Sequence, residues 1–274
     1  MQNVTQDLID KATAGEAKAL EQLVRSSQDN VHRLAVRMMA DPVLAEDATQ
    51  EILIRVITKL STYRGDSAFS TWVYRIATNY LLTARKVLAR DPGLTFDIFE
   101  MDLKDGLVDD AQAAAEDHVM INELRLRCTM ALLLCLDRPH RAAYVLGDIL
   151  ELSHGEAAQV LEIEPATYRQ RLSRARSKVE DHTSRSCGLA NADAACSCPR
   201  RLPTAIAKQR VGATPDPFFV QAPAYDEVSE MARQTKAELI TAKLQRATGP
   251  LSAQKDFAQA VLHLVESRVP PQPK

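Results

Sequence analysis

The fold is decided by the stretch Ala166-Thr167-Tyr168-Arg169-Gln170-Arg171-Leu172-Ser173-Arg174-Ala175-Arg176-Ser177-Lys178, which carries five cationic side chains and no acidic one. As a helix it has one apolar stripe with the spacing i, i+4, i+7 and i+11. The stripe consists of Tyr168, Leu172, Ala175 and Val179. The remaining face is polar and consists of Thr167, Arg169, Gln170, Arg171, Ser173, Arg174 and Lys178. A charge run alone is usually a solvated surface, but an apolar back with a cationic, hydrogen-bonding front suits a DNA major groove.

The residues just before this stretch predict a second short helix and a tight turn. Ser153 and Glu156 have the S-x-x-E spacing of a capping box, so a helix should begin near His154. Pro165 suits the first position of the next helix, where its missing N–H costs nothing. Two short helices of which the second is basic are typical of the helix-turn-helix motif. A structural helical hairpin without a DNA role is the alternative.

The composition is that of an all-α protein without a membrane segment. The chain has 274 residues, a formal net charge of -2, 9 glycines and 5% aromatic residues. No apolar run approaches the length of a membrane span, and the N-terminus lacks the cationic start and apolar core of a signal peptide. We therefore expect a cytoplasmic protein with no membrane partner, whose cysteines are mostly reduced or metal-bound.

Charge and proline divide the chain into four segments. Residues 1–90 form a first helical domain, and residues 91–117 are so rich in Asp and Glu that we expect an extended or flexible acidic linker. Residues 118–183 contain the helix-turn-helix, and residues 184–274 form a cysteine-containing junction and a helical extension. The expected fold is therefore all-α, with two small helical domains joined by the linker and followed by the extension.

The first domain carries a mixed polar and apolar helix face. Asp47, Gln50, Glu51 and Ile54 are spaced i, i+3, i+4 and i+7, opposite an apolar stripe that begins at Leu44. Acidic and amide groups beside an exposed Ile could bind a partner helix, although a solvated face is the more ordinary interpretation of this pattern.

A turn-rich loop and another helix follow, over residues 63–79. We expect Trp72 to pack inward as a structural residue. The side chains expected to be available for contact are Tyr63, Arg64, Asp66, Phe69, Tyr74, Arg75, Thr78 and Asn79. Aromatic rings interleaved with Arg and Asn offer stacking surfaces for bases and donors for phosphates, as binding of a single strand requires.

These residues carry a resemblance to a known family. The segments 47–51, 63–66 and 69–79 resemble the second conserved region of the extracytoplasmic-function (ECF) bacterial sigma factors. The segment 167–176 resembles the recognition helix of the fourth region of the same family. The two matches occur in the expected order and span roughly residues 15 to 180.

The resemblance implies a function and three binding sites. It implies that Asp47, Gln50, Glu51 and Ile54 bind core RNA polymerase, and that the residues from Tyr63 to Asn79 recognise and melt the minus-ten element. It implies that the polar face from Thr167 to Lys178 reads the minus-thirty-five duplex. The protein would then be a promoter-directing subunit and not an enzyme. The alternative is a stand-alone helix-turn-helix regulator, which has no need of the segments from Asp47 to Asn79.

The junction after the helix-turn-helix holds a cysteine cluster. His182, Cys187, Cys196 and Cys198 could supply four ligands for Zn²⁺, but Cys196-Ser197-Cys198 does not have the spacing of a common zinc knuckle. A redox sensor and a functionally silent junction are the alternatives. We expect that no cofactor is required for function. Regulation could come from a separate anti-sigma protein or from the C-terminal extension acting in cis.

Overall fold

The computed structural model describes residues 4–109, 118–212, 214, 216–219, 222–249 and 251–268. These residues form fourteen α-helices and no strand, which confirms the all-α prediction. The helices are α1 Gln6–Thr13, α2 Ala17–Met39, α3 Pro42–Thr58, α4 Phe69–Thr83, α5 Arg85–Leu88, α6 Phe96–Lys104, α7 His118–Leu134, α8 Arg138–Tyr144, α9 His154–Leu161, α10 Pro165–Ser186, α11 Cys198–Ala207, α12 Tyr225–Arg233, α13 Ala237–Arg246 and α14 Phe257–Arg268. None of these helices is long and apolar enough to cross a membrane.

The chain forms two compact units, and neither is continuous in sequence. The first unit contains Met1–Arg90, Ser153–Pro165 and Ser252–Lys274. The second contains Asp91–Leu152 and Ala166–Leu251. This division differs from the linear order of segments expected above, because α9 and α14 belong to the first unit.

The first unit is built on the pair α2 and α3, which α1, α4 and α14 contact. Asp41 caps α3 by accepting a hydrogen bond from the amide of Leu44, and Pro42 occupies the first turn. The shared core includes the fully buried side chains of Leu23, Leu34, Ile52 and Leu53. Burying each such side chain contributes on the order of 2 kcal/mol, so these helices form a stable support for the residues on their outer faces.

Helix α14 supplies a distant part of the chain to the same core. Phe257, Ala258 and Val261 are buried, and α14 contacts both α2 and α3. The amide of Phe257 donates a hydrogen bond to Gln28 Oε1 over 3.1 Å. Just before the helix, Lys255 forms an ion pair with Glu46 at 3.0 Å. Helix α14, the last part of the C-terminal extension, is therefore an integrated part of the first unit, whereas the rest of the extension belongs to the second.

The second unit is centred on α7, which contacts α8, α11, α12 and α13. One apolar cluster joins α7 to α11 and includes Met120, Ile121, Leu124, Leu202 and Ala205. Arg125 is buried beside it and donates hydrogen bonds to the carbonyl oxygens of Pro223 and Ala247. A single π-helical turn, Val145–Ile149, follows α8.

The acidic linker differs from the expected extended segment. Thr95 caps α6 with its side chain, and the helix occupies residues 96–104. Asp102 on this helix forms ion pairs with Arg201, Lys208 and Arg210 from the C-terminal extension. The extension thus neutralises acidic groups that would otherwise favour an unfolded, self-repelling linker. Residues 110–117 of the linker lie outside the described residues.

Candidate polymerase and nucleic-acid interfaces

The predicted polymerase face of α3 is only partly exposed. Asp47 is exposed, and Gln50 and Glu51 are half-buried. Ile54 is only 3% exposed, so the expectation of an exposed Ile was wrong. The reason is that α3 contacts α2, α4 and α14 together, which leaves a narrow polar strip on its surface. A neighbouring half-open pocket is lined by Met39, Leu44, Asp47, Ala48, Lys86, Val87 and Arg90.

The loop before α4 is held by aromatic packing. The ring of Tyr63 meets the rings of Phe69 and Trp72 edge-on, with centroids 5.4 and 5.6 Å apart. The hydroxyl of Tyr63 donates a hydrogen bond to the carbonyl oxygen of Ser67 over 2.8 Å. Gly65, at φ +78°, makes the left-handed turn between them. This packing leaves the neighbouring polar side chains Arg64 and Asp66 exposed.

Several of the predicted strand-reading residues are buried. Phe69 and Trp72 are both in the core, which agrees with the structural role expected for Trp72. Tyr74 is 8% exposed and Thr78 is 1% exposed, so the expectation that both face solvent was wrong. Burial raises the pKa of Tyr74. Asn79 remains exposed and Arg75 is half-buried.

The side of α4 that carries Arg75 and Asn79 faces another helix of the same unit, since α9 packs against α4. Arg75 Nε donates a hydrogen bond to the carbonyl oxygen of Gln159 over 3.2 Å. Asn79 Nδ2 donates to Glu162 Oε2 over 3.2 Å. Two of the predicted DNA contacts of α4 are therefore engaged by residues at the C-terminal end of α9.

Helix α9 begins where its sequence predicts. Ser153 and Glu156 form the full capping box, with both hydrogen bonds present, so the predicted start near His154 is confirmed. Glu162 ends the helix in the left-handed conformation at φ +53°. Pro165 then begins α10 at its first position.

Helix α10 has the predicted amphipathic character. The stripe of Tyr168, Leu172, Ala175 and Val179 is fully buried or nearly so. The hydroxyl of Tyr168 donates a hydrogen bond to the carbonyl oxygen of Ala143 over 3.1 Å. Exposed side chains cover the other face, namely Thr167, Arg169, Gln170, Ser173, Arg174 and Lys178, while Arg171 is half-buried. An anchored helix thus presents a row of donors, as a base-reading helix requires.

One cation of this helix has a structural role. Arg176 binds the buried carboxylate of Asp148 through its Nε and Nη2 atoms. A bidentate pair of this kind fixes the orientation of both side chains. The pair ties α10 to the π-helical turn, which keeps the polar face of α10 directed outward.

His182, one of the four predicted metal ligands, packs against aromatic rings. Its ring stacks on Phe99 with centroids 5.4 Å apart and lies 5.6 Å from the ring of Phe96. His182 is 2% exposed, and burial lowers its pKa. Hydropathy patterns do not reveal such ring stacking, which is why the sequence grouped His182 with the nearby thiols.

Cys187, Cys196 and Cys198 do lie near one another, and Cys128 on α7 joins them. The amide of Gly188 donates to the carbonyl oxygen of Cys196 over 2.9 Å. The four thiols are close enough to oppose one another's ionisation. No group of three or more His, Cys, Asp or Glu side chains in the described ranges is arranged to hold a metal ion. Sequence spacing gives no sign that Cys128 belongs to this cluster, because it lies far from the other three cysteines in the chain.

Comparison with known proteins agrees with this arrangement. Residues 23–90 match the model of Sigma-70 region 2, and residues 126–179 match that of Sigma-70 region 4. The chain is 30% identical over 182 residues to the RNA polymerase sigma-H factor of Pseudomonas aeruginosa, covering 65% of this chain and 93% of that protein. It is 31% identical over 181 residues to the ECF RNA polymerase sigma factor SigW of Bacillus subtilis, covering 64% and 95%.

The chain also matches part of solved structures, among them CnrH in complex with the cytosolic domain of CnrY. That match has 23% identity and a TM-score of 0.44, and covers 62% of this chain and 91% of the other. A second is the sigma factor RpoE of Bartonella quintana in complex with the anti-sigma factor NepR, with 19% identity and a TM-score of 0.39, covering 64% and 98%.

An all-α chain that matches both Sigma-70 region 2 and Sigma-70 region 4 belongs to the class of transcription initiation factors. The two relatives, of which this chain covers more than nine tenths, identify the family. The chain belongs to the ECF sigma factors, and its function is that of a promoter-directing sigma factor. The alternative of a stand-alone regulator is not favoured, because the region 2 match covers the segment that such a regulator does not need.

Proposed function

We propose that three faces of the chain divide the work of promoter recognition. The narrow polar strip of α3, at Asp47, Gln50 and Glu51, binds core RNA polymerase. The loop and α4, from Tyr63 to Asn79, hold the melted minus-ten strand. The exposed row of α10 reads the minus-thirty-five duplex. The observation that carries the proposal is α10, whose apolar stripe is fully buried while its donors face solvent.

Melting in this proposal needs no catalytic residue. Binding of unstacked bases offsets the cost of unpairing, which is on the order of a few kcal/mol. The protein is therefore proposed to act by binding alone. Its proposed location is the cytoplasm, where promoter DNA and polymerase are found.

Transcription by reconstituted holoenzyme tests the proposal. The full chain is mixed with core RNA polymerase and fragmented genomic DNA, and specific transcripts are sequenced. Arg169→Ala and Arg174→Ala should each reduce promoter binding, whereas Arg185→Ala, a cation on the same helix outside the reading face, should not. Absence of any specific transcript from the unaltered chain would contradict the sigma function itself.

The polymerase face has its own matched test. Asp47→Lys and Glu51→Lys reverse two charges on the α3 strip, and Asp29→Lys reverses an exposed charge on α2. We expect weaker binding to core polymerase for the first two only. Equal binding of all three variants to core polymerase would contradict the role of α3 as the polymerase-binding face.

The C-terminal extension is proposed to regulate these activities in cis. Its support is that α14 is packed into the first unit through Phe257, Ala258 and Val261. A chain ending at Ala253 removes α14 and leaves the second unit complete, unlike a deletion from Ser186, which would also remove α11 from the core around α7. Unchanged polymerase binding, promoter binding and transcript yield would contradict the regulatory role. The existence of a separate anti-sigma protein stays a prediction.

A zinc ion at the cysteine cluster also stays a proposal, with Cys128 replacing His182 as the fourth ligand. Thiolates are ligands that Zn²⁺ prefers, but the side chains would have to rotate to bring their sulfur atoms to one point. Metal analysis of the purified full chain and of Cys187→Ser tests it. We expect about one zinc per chain that is lost in the variant; equal metal content in both would contradict the site.

A further inference from the structure

The C-terminal end of α9 lies on the face of α4 that is proposed to hold single-stranded DNA. Arg75 and Asn79 stand one turn apart on this face, and each donates a hydrogen bond to α9 or to its C-cap residue, Glu162. The carboxylate of Glu162 also lies 4.0 Å from Arg75 Nε. The donors that should meet a DNA strand are therefore already used within the chain.

The groups that accept these hydrogen bonds carry negative charge, as the phosphates of a nucleic-acid backbone do. A helix C-terminus carries a partial negative charge on its free carbonyl groups, and the Gln159 carbonyl is one of the last in α9. Glu162 adds a full negative charge beside it. A guanidinium donates hydrogen bonds to oxygen atoms of this kind much as it donates to the oxygen atoms of a phosphate.

Thr78 supports the same interpretation. It shares the helix face of Arg75 and Asn79, and its side chain is 1% exposed. Its hydroxyl is buried without a hydrogen-bond partner in the part of the chain that the structure describes. A buried hydroxyl without a partner is destabilising, so the packing around this part of α4 is not optimal for its polar groups.

The polar contacts themselves are weak. Arg75 and Glu162 are both partly exposed, with 32% and 57% of their side-chain surface accessible, and exposed pairs of this kind contribute little to stability. A competing strand with several phosphates and bases can displace such contacts. The arrangement therefore suits a reversible cover better than a permanent interface.

We propose that α9 is an internal competitor of single-stranded promoter DNA, which occupies α4 until the strand displaces it. This inference rests on the proposed function of α4 in holding the melted strand. The exposed residue Asp47 on α3 stays accessible while α4 is covered. The covered form can therefore bind polymerase before it can hold the open strand.

Charge reversal at Glu162 tests the proposal with a close control. Glu162→Lys removes the carboxylate from Asn79 and repels Arg75. Glu164→Lys makes the same change of net charge two residues later, at an exposed position. Anisotropy of a fluorescent mixed-sequence single-stranded oligonucleotide gives the affinity of each full-length chain at one fixed salt concentration.

We expect Glu162→Lys to bind the oligonucleotide about threefold more tightly than Glu164→Lys, the size of effect that loss of one exposed pair allows. Equal affinities of the two variants would overturn the proposal. Hydrogen exchange provides a second readout on the unaltered chain: binding of the oligonucleotide should speed exchange of the amides in residues 154–162. Unchanged or slower exchange there, with the oligonucleotide bound, would also overturn it.

The same chains separate this inference from the sigma function. If both variants direct specific transcripts with core polymerase but bind the oligonucleotide equally, only the competition by α9 fails. If neither the variants nor the unaltered chain binds core polymerase, the function proposed for the whole chain fails.

Discussion

The hydroxyl of Tyr168 lies in the space that a side chain at Gly147 would occupy. A Cβ atom added at Gly147 would lie 2.3 Å from the Tyr168 hydroxyl oxygen and 3.1 Å from a methyl carbon of Leu172. The same hydroxyl donates to the Ala143 carbonyl oxygen. The recognition helix α10 is thus positioned by a phenol that fits only because residue 147 has no side chain.

Gly147→Ala should destabilise the chain by about 1–3 kcal/mol, because the added methyl group overpacks the core. Tyr168→Phe should cost about 0.5–1.5 kcal/mol through the lost hydrogen bond. In the double variant the hydroxyl that clashes is gone, so its cost should be smaller than the sum of the two. Urea unfolding measures all three free energies.

The control for this cycle is Gly155→Ala. Gly155 is in α9 and has open space where a Cβ would be placed, so the change should not destabilise the chain. Additive costs in the double variant would show that Gly147 and Tyr168 do not constrain each other.

His182 should make stability depend on pH. Burial lowers its pKa, so the folded chain binds fewer protons than the unfolded chain, in which the pKa is about 6.5. Through His182, the free energy of unfolding therefore does not depend on pH above about pH 6.5. It decreases as the pH falls from about 6.5 toward the pKa of His182 in the folded chain, with a slope of up to about 1.4 kcal/mol per pH unit.

Denaturant unfolding between pH 7.5 and 5 measures this slope. His182→Gln should reduce it, and His263→Gln, at an exposed position, should have a smaller effect. If the slope persists in His182→Gln, another group carries the pH dependence.

The cysteines should react slowly in the folded chain. Burial raises the pKa of Cys196 to about 11 and that of Cys135 to about 12, and it also raises the pKa of Cys187. Since the thiolate is the reactive form, alkylation of Cys196 by iodoacetamide at pH 7.5 should be at least tenfold slower in the folded than in the urea-unfolded chain.

Mass spectrometry of each cysteine-containing peptide gives these rates. The expected result disfavours a redox sensor, which needs an acidic and accessible thiol. Rapid alkylation of Cys196 in the folded chain would instead support the sensor interpretation.

The sequence predicted those parts of the molecule that depend on neighbours in the chain. The stripe of α10 and the capping box of α9 are local patterns, because their spacing already fixes which side chains face the same way. The exposed row from Arg169 to Lys178 followed directly from that spacing. Local patterns were sufficient for both helices of the predicted motif.

The wrong expectations all concern contacts between distant segments. Ile54 lies on α3, which α14 contacts, and Tyr74 and Thr78 lie on α4, which both α2 and α9 contact; all these helices come from other parts of the sequence. A helix pattern shows which residues share a face but not how many partners cover it. The helix α6 was missed for a related reason, since the cations that neutralise Asp102 come from residues 201–210.

Phe257 tests whether the contact of α14 with α2 and α3 is structural or regulatory. Its side chain is 1% exposed, so Phe257→Ala should lower the unfolding free energy by about 3–5 kcal/mol. Gln259→Ala changes an exposed position on the same helix and should have little effect. Thermal unfolding and transcription by reconstituted holoenzyme are measured on both variants below their unfolding temperatures.

If α14 regulates the chain, Phe257→Ala should change the transcript yield per folded molecule, because release of α14 alters the surface of the first unit while the fold persists. If α14 only stabilises the unit, the unfolding temperature should fall and the yield per folded molecule should equal that of Gln259→Ala. An unchanged unfolding temperature of Phe257→Ala would contradict the burial of Phe257 in the core of the first unit.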